Sequence, residues 1–207
     1  MTTLSKQFGP IDIYLFDQLL RGRITPGMRI LDAGCGGGRN LVYLLRNAQL
    51  ERYGIFGVDT SSGAIEAVRE MAASLAPELP PENFRVEPIE GMSFPDGFAD
   101  VAISSAVLHF AGDDDQFHAM LQGTWRVLKP GGLFFCRLAS SIGIERQISR
   151  IAGRRFALPD GSERYLVDED LLMALTEQLG GTLLDPLKTT VVQNQRSMTT
   201  WVVRKNG

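Results

Sequence analysis

Asp32-Ala-Gly-Cys-Gly-Gly-Gly-Arg-Asn40 decides the fold. It follows the short apolar run Met28-Arg-Ile-Leu31 and precedes Asn40 to Asn47, where Leu41, Leu44 and Leu45 recur at helical spacing. A strand, a glycine turn and a helix in that order open a crossover onto a parallel sheet. Glycines at 34, 36 and 38 remove Cβ atoms, so the backbone can take positive φ and approach a ligand closely. A dinucleotide fingerprint would need a third glycine where Arg39 stands, and Asp32 would repel a pyrophosphate. An acid at the end of the strand suits a cationic amine instead.

Outward from this turn the pattern repeats. Tyr53–Asp59 is a second strand and Ser61–Leu75 a helix with Ile65, Val68, Ala72 and Leu75 on one face. Phe84–Glu87, Asp100–Ser105 and Leu133–Leu138 are the third to fifth strands, and Asp113–Leu128 is a helix stopped by Lys129-Pro-Gly-Gly132. Asp168–Leu179 is a further helix. Leu183–Leu187 and Met198–Val203 close the sheet as a hairpin across the polar segment Gln193–Ser197. The expectation is an α/β three-layer sandwich around a mostly parallel seven-stranded sheet with its last strand antiparallel. It is one domain over residues 1–207, with 1–27 a covering N-terminal segment whose helix runs Pro10–Leu20.

Composition narrows the function classes. The 207 residues carry 21 Lys+Arg against 24 Asp+Glu, a net charge of −3, which disfavours a generally basic nucleic-acid binder. Two cysteines cannot make a disulfide framework, and no apolar stretch is long enough to span a bilayer. A cytoplasmic protein is expected.

The spacing Asp-x-Gly-x-Gly-x-Gly resembles the first motif of the Rossmann-like S-adenosylmethionine-dependent methyltransferases. Glu90-Gly-Met-Ser-Phe-Pro-Asp-Gly-Phe-Ala-Asp100 and Trp125-Arg-Val-Leu-Lys-Pro-Gly-Gly132 are similar to later passages of that family, so the likeness spans residues 28–138. The loop and the closing Met198-Thr-Thr-Trp-Val-Val-Arg-Lys205 look most like small-molecule members, including the tellurite-resistance type. The resemblance implies S-adenosylmethionine as cofactor. It places Asp32, Gly34, Gly36 and Gly38 at the amino-acid end, Asp59 and Thr60 at the ribose, Ile89 and Glu90 at the adenine, and Ser104 at the end of the fourth strand. Asp59 can accept from both ribose hydroxyls, although it could also cap the following helix. Family members often hold adenine with an Asp after the third strand. Pro88 stands at that position, which leaves backbone near Ile89, the carboxylates of Glu87 or Glu90, and Ile89 with Met92 around the ring.

Methyl transfer from a sulfonium needs alignment in a dry pocket, and a base only when the acceptor is protonated. His109, after the fourth strand, is the candidate acid-base and substrate residue. The stretch 139–166 reads as a lid or substrate insertion, with Ile142, Ile144, Ile148 and Ile151 among Arg146, Arg150 and Arg154 suggesting an amphipathic helix. Arg137, from within the fifth strand, is the candidate substrate-facing cation and favours an anionic acceptor. Asp113-Asp-Asp115 near His109 and His118 reads as a helix start and not as a metal site. The absence of an Asn/Asp-Pro-Pro-aromatic motif disfavours nucleobase methylation. A protein- or RNA-directed methyltransferase and a cofactor-binding module without turnover are the rival readings.

Overall fold

A computed structural model describes residues 3–207. Helix α1 (Thr3–Phe8) and α2 (Ile13–Leu20) precede β1 (Arg29–Ala33), α3 (Val42–Arg46), α4 (Ala48–Glu51), β2 (Gly54–Asp59), α5 (Ser62–Leu75) and β3 (Phe84–Val86). Then follow β4 (Ala99–Ser105), α6 (Asp114–Val127), β5 (Leu128–Ala139), the short strands β6 (Ser149–Ala152), β7 (Arg155–Ala157) and β8 (Glu163–Tyr165), α7 (Glu169–Gln178), β9 (Gly181–Leu183), β10 (Lys188–Val192) and β11 (Arg196–Lys205).

The main sheet runs β3-β2-β1-β4-β5-β11-β10. The first five are parallel, and β11 is antiparallel to β5. β10 and β9 both pair antiparallel with β11, so they form one edge position in two pieces. Seven strand positions with a reversed β11 agree with the expectation. The break falls where Leu183–Leu187 was expected as one strand. Pro186 lacks the N–H a ladder needs, and Asp185 turns inward to take Arg23 through two bonds of 2.7 and 3.1 Å.

Alternation along the strands divides the core between two faces. Leu31, Ala102, Phe134 and Trp201 pack with Phe117, Leu121 and Leu172 of α6 and α7. Ile30, Ile103, Phe135 and Val202 pack with Leu15, Leu44 and Ile65 of α2, α3 and α5. The Trp201 indole donates to Thr176 Oγ1 at 2.9 Å, so burying it leaves no donor unpaired.

Two expectations are corrected. The leading helix starts at Ile13, not Pro10: Asp12 is its N-cap, accepting from Tyr14 N at 3.0 Å. The stretch 139–166 contains a three-stranded antiparallel meander, β6-β7-β8, and no amphipathic helix. Its turns sit at Gly153 and Gly161, both with positive φ. Gly143, also at positive φ, interrupts the expected helix near its start, and the β-branched Ile151 suits a strand. Its arginines mostly serve as surface rungs, with Arg155 on Glu163 at 2.7 Å and Arg154 on Asp168 at 2.9 Å.

Candidate active site

The carboxyl ends of the parallel strands open into a cavity of about 780 Å³. Ligands of open α/β sheets bind at this edge. The wall includes Gly34 and Gly36 from the turn after β1, Asp59 and Thr60 after β2, Ile89 and Glu90 after β3, and Ser105 after β4.

Gly34 holds φ +84°, and a Cβ there would lie 2.5 Å from Val107, so the turn and the loop after β4 touch only because the side chain is missing. A Cβ on Gly36 would meet open space. Gly38 is turned away from the cavity, against Met71 and Val68 of α5. Asp59 does two jobs: one carboxylate oxygen accepts from Gly36 N and the other from Ser61 N, both at 2.9 Å. It thereby ties the glycine turn to the start of α5, while Ser61 Oγ accepts from Ala64 N as the helix cap.

Asp32 lies beneath the turn and is absent from the cavity wall. It is 1% exposed, and neither carboxylate oxygen has a protein partner. Burial pushes its carboxyl up to about 7, with Arg39 opposing and Asp59 reinforcing the rise. A buried acid left unpaired is costly, so the pair of orphaned oxygens marks a place for a cationic or hydrogen-donating ligand.

Three other expected contacts fall differently. Ser104 is fully buried and turned into the opposite layer, so the next residue along the strand, Ser105, faces the cavity. Glu87 is occupied, accepting from Ser93 N at 2.8 Å and Ser93 Oγ at 2.6 Å, which leaves Glu90 as the carboxylate on this wall. Met92 belongs to the core, and Met71 and Met120 supply the thioethers beside Ile89.

Sequence reading missed Gly123. A Cβ on this α6 residue would sit 2.4 Å from the Ile89 carbonyl oxygen, so its absence lets α6 press against the turn that carries Ile89 and Glu90. A helix-interior glycine with large neighbours was the available signal. It also missed a polar roof. Arg39 donates to Ser105 Oγ at 3.0 Å, Ser105 Oγ to Asp12 at 3.2 Å, and Arg137 to Asp12 at 3.1 Å. Asp12 N donates to Asn40 Oδ1 at 3.0 Å, so α2 is fastened directly over the strand ends.

Beyond Ala106, which lines both spaces, lies a second cavity of about 300 Å³. His109, Arg137, Arg164 and Arg196 are on its wall. His109 is 5% exposed and its Nδ1 accepts from Ala139 N at 3.1 Å. Burial and Arg164 hold its pKa at about 4. At neutral pH the ring is therefore uncharged with its proton on Nε2, a hydrogen-bond donor and not a proton acceptor. The base role expected of His109 finds no support in this geometry. Asp113 and Asp114 are spent on helix start and packing: Asp113 accepts from Gln116 N at 2.8 Å and Asp114 from the Tyr165 hydroxyl at 2.8 Å.

Known proteins resemble this arrangement. The family model described as a methyltransferase domain matches residues 31–136, just over half of the chain. A ubiquinone biosynthesis O-methyltransferase of Brucella anthropi is 29% identical over 175 residues, covering 79% of this chain and 64% of that protein. An uncharacterized methyltransferase of Synechocystis is 31% identical over 111 residues, 54% of this chain and 47% of the relative. The chain thus spans between about half and two thirds of the length of these curated relatives. Among solved structures, a SAM-dependent methyltransferase from Methanosarcina mazei superposes with TM-score 0.69 at 20% identity, covering 91% of this chain and 97% of its own. The 1,6-didemethyltoxoflavin-N1-methyltransferase of Burkholderia thailandensis, solved with its substrate and S-adenosylhomocysteine, gives 0.70 at 17%, covering 99% and 82%. A cyclase gives 0.70 at 18%, covering 94% and 81%.

Proposed function

The chain belongs to the methyltransferase-domain family, and from that premise we propose that it transfers a methyl group from S-adenosylmethionine to a small-molecule acceptor. The observation that carries this reading is the buried, unpartnered Asp32 under a glycine turn whose neighbour on the same cavity is Asp59. The residues fit the cofactor part by part. Asp32, whose carboxyl burial lifts to about 7, would be drawn into its charged form by a cationic amino group lying across the turn, and Gly36 leaves room for that group. Asp59 keeps lone pairs for a diol, and Ile89, Met71 and Met120 offer apolar faces to a base with Glu90 at its edge.

S-adenosylmethionine supplies an electrophilic methyl on a sulfonium. The chain's own task is alignment and exclusion of water. The Arg39–Ser105–Asp12–Arg137 chain holds α2 over the strand ends, and Ala106 joins the cofactor space to the second cavity, which is assigned here to the acceptor. The 139–166 segment supplies Leu158 and Arg164 to that cavity and so acts as its outer wall. Relatives named as O-methyltransferases of ubiquinone biosynthesis support a small-molecule acceptor, and the arginines support an anionic one. Membership of the tellurite-resistance subtype rests on the loop and closing-strand likeness alone. No helix among the described residues is long and apolar enough to cross a membrane; the cytoplasmic placement is proposed from composition alone.

A cyclase shares this fold, so the fold alone does not fix the activity, and the second reading is a cofactor-binding module without turnover. Release of S-adenosylhomocysteine in the presence of candidate acceptors separates the two. Acceptor-dependent release is expected, whereas binding without release under every acceptor would support the second.

A further inference from the structure

We propose that the cavity beyond Ala106 takes a small organic carboxylate between Arg137, Arg164 and Arg196, and that the carboxylate oxygen is itself the atom methylated. This deepens the reading above and rests on it.

Three arginines reach this cavity, and two of them, Arg164 and Arg196, close no salt bridge among the described residues. Arg137 forms a salt bridge to the buried Asp12 at 3.1 Å, and its buried Nε has no partner and remains available. Arg164 donates only to the Glu163 carbonyl and lies over the Phe110 ring at 4.8 Å, closing no salt bridge. Arg196 closes no salt bridge among the described residues and, with Arg164, lies in the field of Asp160. Asp160 is the one acid on the wall, and its carboxylate already accepts from Ser162 N and Ser162 Oγ. Cations outnumber anions three to one on this wall, and guanidinium forks match carboxylates bidentately.

Position links this charge to the reaction. Arg137 pairs in register with Ser105, which lines the cofactor cavity, and Ala106 N donates to the Arg137 carbonyl at 2.7 Å. Phe110 lines the cofactor cavity, and the Arg164 guanidinium lies over its ring at 4.8 Å. Two of the three arginines therefore stand at the junction of the two spaces. The rest of the wall sets apolar Ala139, Leu158, Val192 and Met198 beside Ser162, Ser197 and His109. That lining suits an organic acid better than a bare inorganic oxyanion, and about 300 Å³ is the lower end for small-molecule pockets.

The cavity also lacks a base. His109 presents a proton and Asp160 is tied up, so an alcohol or phenol would find nothing to deprotonate it. A carboxylate needs no such help. Its oxygen lone pair forms the new O–C bond as the S–CH₃ bond breaks, and sulfur keeps the electron pair as a thioether. The negative carboxylate and positive sulfonium become a neutral ester and a neutral thioether, and no proton moves. The ester no longer attracts the arginines, which assists its departure.

The test uses the intact protein with S-adenosylmethionine and matched sets of carboxylic acids, their primary amides, the corresponding alcohols, phenols and amines, with tellurite as the inorganic arm. Acids alone should drive S-adenosylhomocysteine release, giving products that mild alkali cleaves to methanol. Turnover at saturation should stay flat between about pH 6 and 9, since no group must lose a proton. Benzoate should bind the complex with S-adenosylhomocysteine at least about ten-fold tighter than benzamide, and Arg164→Gln with Arg196→Gln should remove most of that preference. Equal binding of benzoate and benzamide, or a preference untouched by the double substitution, would overturn the proposal. So would methylation of a phenol, an amine or tellurite with every acid inert. Failure of S-adenosylmethionine to bind at all overturns the cofactor reading as well; binding with the wrong acceptor class overturns this inference alone.

Discussion

Two buried groups near the site respond to pH with opposite sign. Asp32 has a folded pKa of about 7 against an ordinary 3.8, so the folded chain holds a proton that the unfolded chain releases between those values. Its contribution to stability therefore falls as pH rises from about 4 to 7. His109 has a folded pKa of about 4 against 6.5, so its contribution falls as pH drops through that window. The two slopes largely offset each other. Asp32→Asn should unmask the histidine: the variant gains stability over the parent at pH 8, on the order of 4 kcal/mol from three units at 1.4 kcal/mol each, and loses it on acidification. Thermal melts at pH 5 and 8 check this, and equal melting temperatures of variant and parent at pH 8 would show that Asp32 is not strained. The same substitution should weaken binding of a cationic cofactor, so stability and affinity move apart. In the parent, that affinity should rise as pH passes upward through 7. For Asp59→Ala, which also frees the turn at Gly36, a loss of about 1.5–3 kcal/mol in cofactor affinity is expected by calorimetry, and an unaltered affinity would remove the residue from the site. His109→Ala should cost about 1–3 kcal/mol of stability by stranding the Ala139 N–H, without changing the shape of the pH–rate profile.

At the scale of elements, the close contact between α6 and the Ile89–Gly91 turn sets the cavity wall that carries Ile89 and Glu90. Gly123→Ala would normally favour a helix by about 1 kcal/mol. Here the added Cβ would press on the Ile89 carbonyl, and a net loss of about 1–3 kcal/mol is expected from overpacking. Chemical denaturation decides between them, with a rise in the midpoint contradicting the packing described. The strand–turn–helix repeats were legible because their signals are local: Asp59, Ser61 and Asp113 sit where caps and strand ends must be. The 139–166 meander was not. Ile142, Ile144, Ile148 and Ile151 among arginines satisfy a loose helical pattern, and Gly143, Gly153 and Gly161, all at positive φ, tell against it. The start of α2 was misplaced for a tertiary reason, since Asp12 is chosen as N-cap and as partner of Ser105 and Arg137, distant in sequence.

Across the whole molecule, one parallel sheet brings the ends of β1, β2, β4 and β5 to a single edge, and both cavities open there. That convergence is why a glycine turn at residues 34–38 and an acid at 59 could be read together from the sequence. Side-chain facing was beyond it: Ser105 replaces Ser104, Glu90 is free where Glu87 is occupied, and Asp32 sits behind the wall. Net charge of −3 conceals a local excess of arginine at the second cavity, which only the fold assembles. The central claim concerns what the first cavity holds. Calorimetric titration of the purified chain with S-adenosylmethionine and, separately, with NAD tests it most directly. Saturable one-site binding of S-adenosylmethionine with no heat from NAD is predicted; binding of NAD, or silence with S-adenosylmethionine, would contradict it.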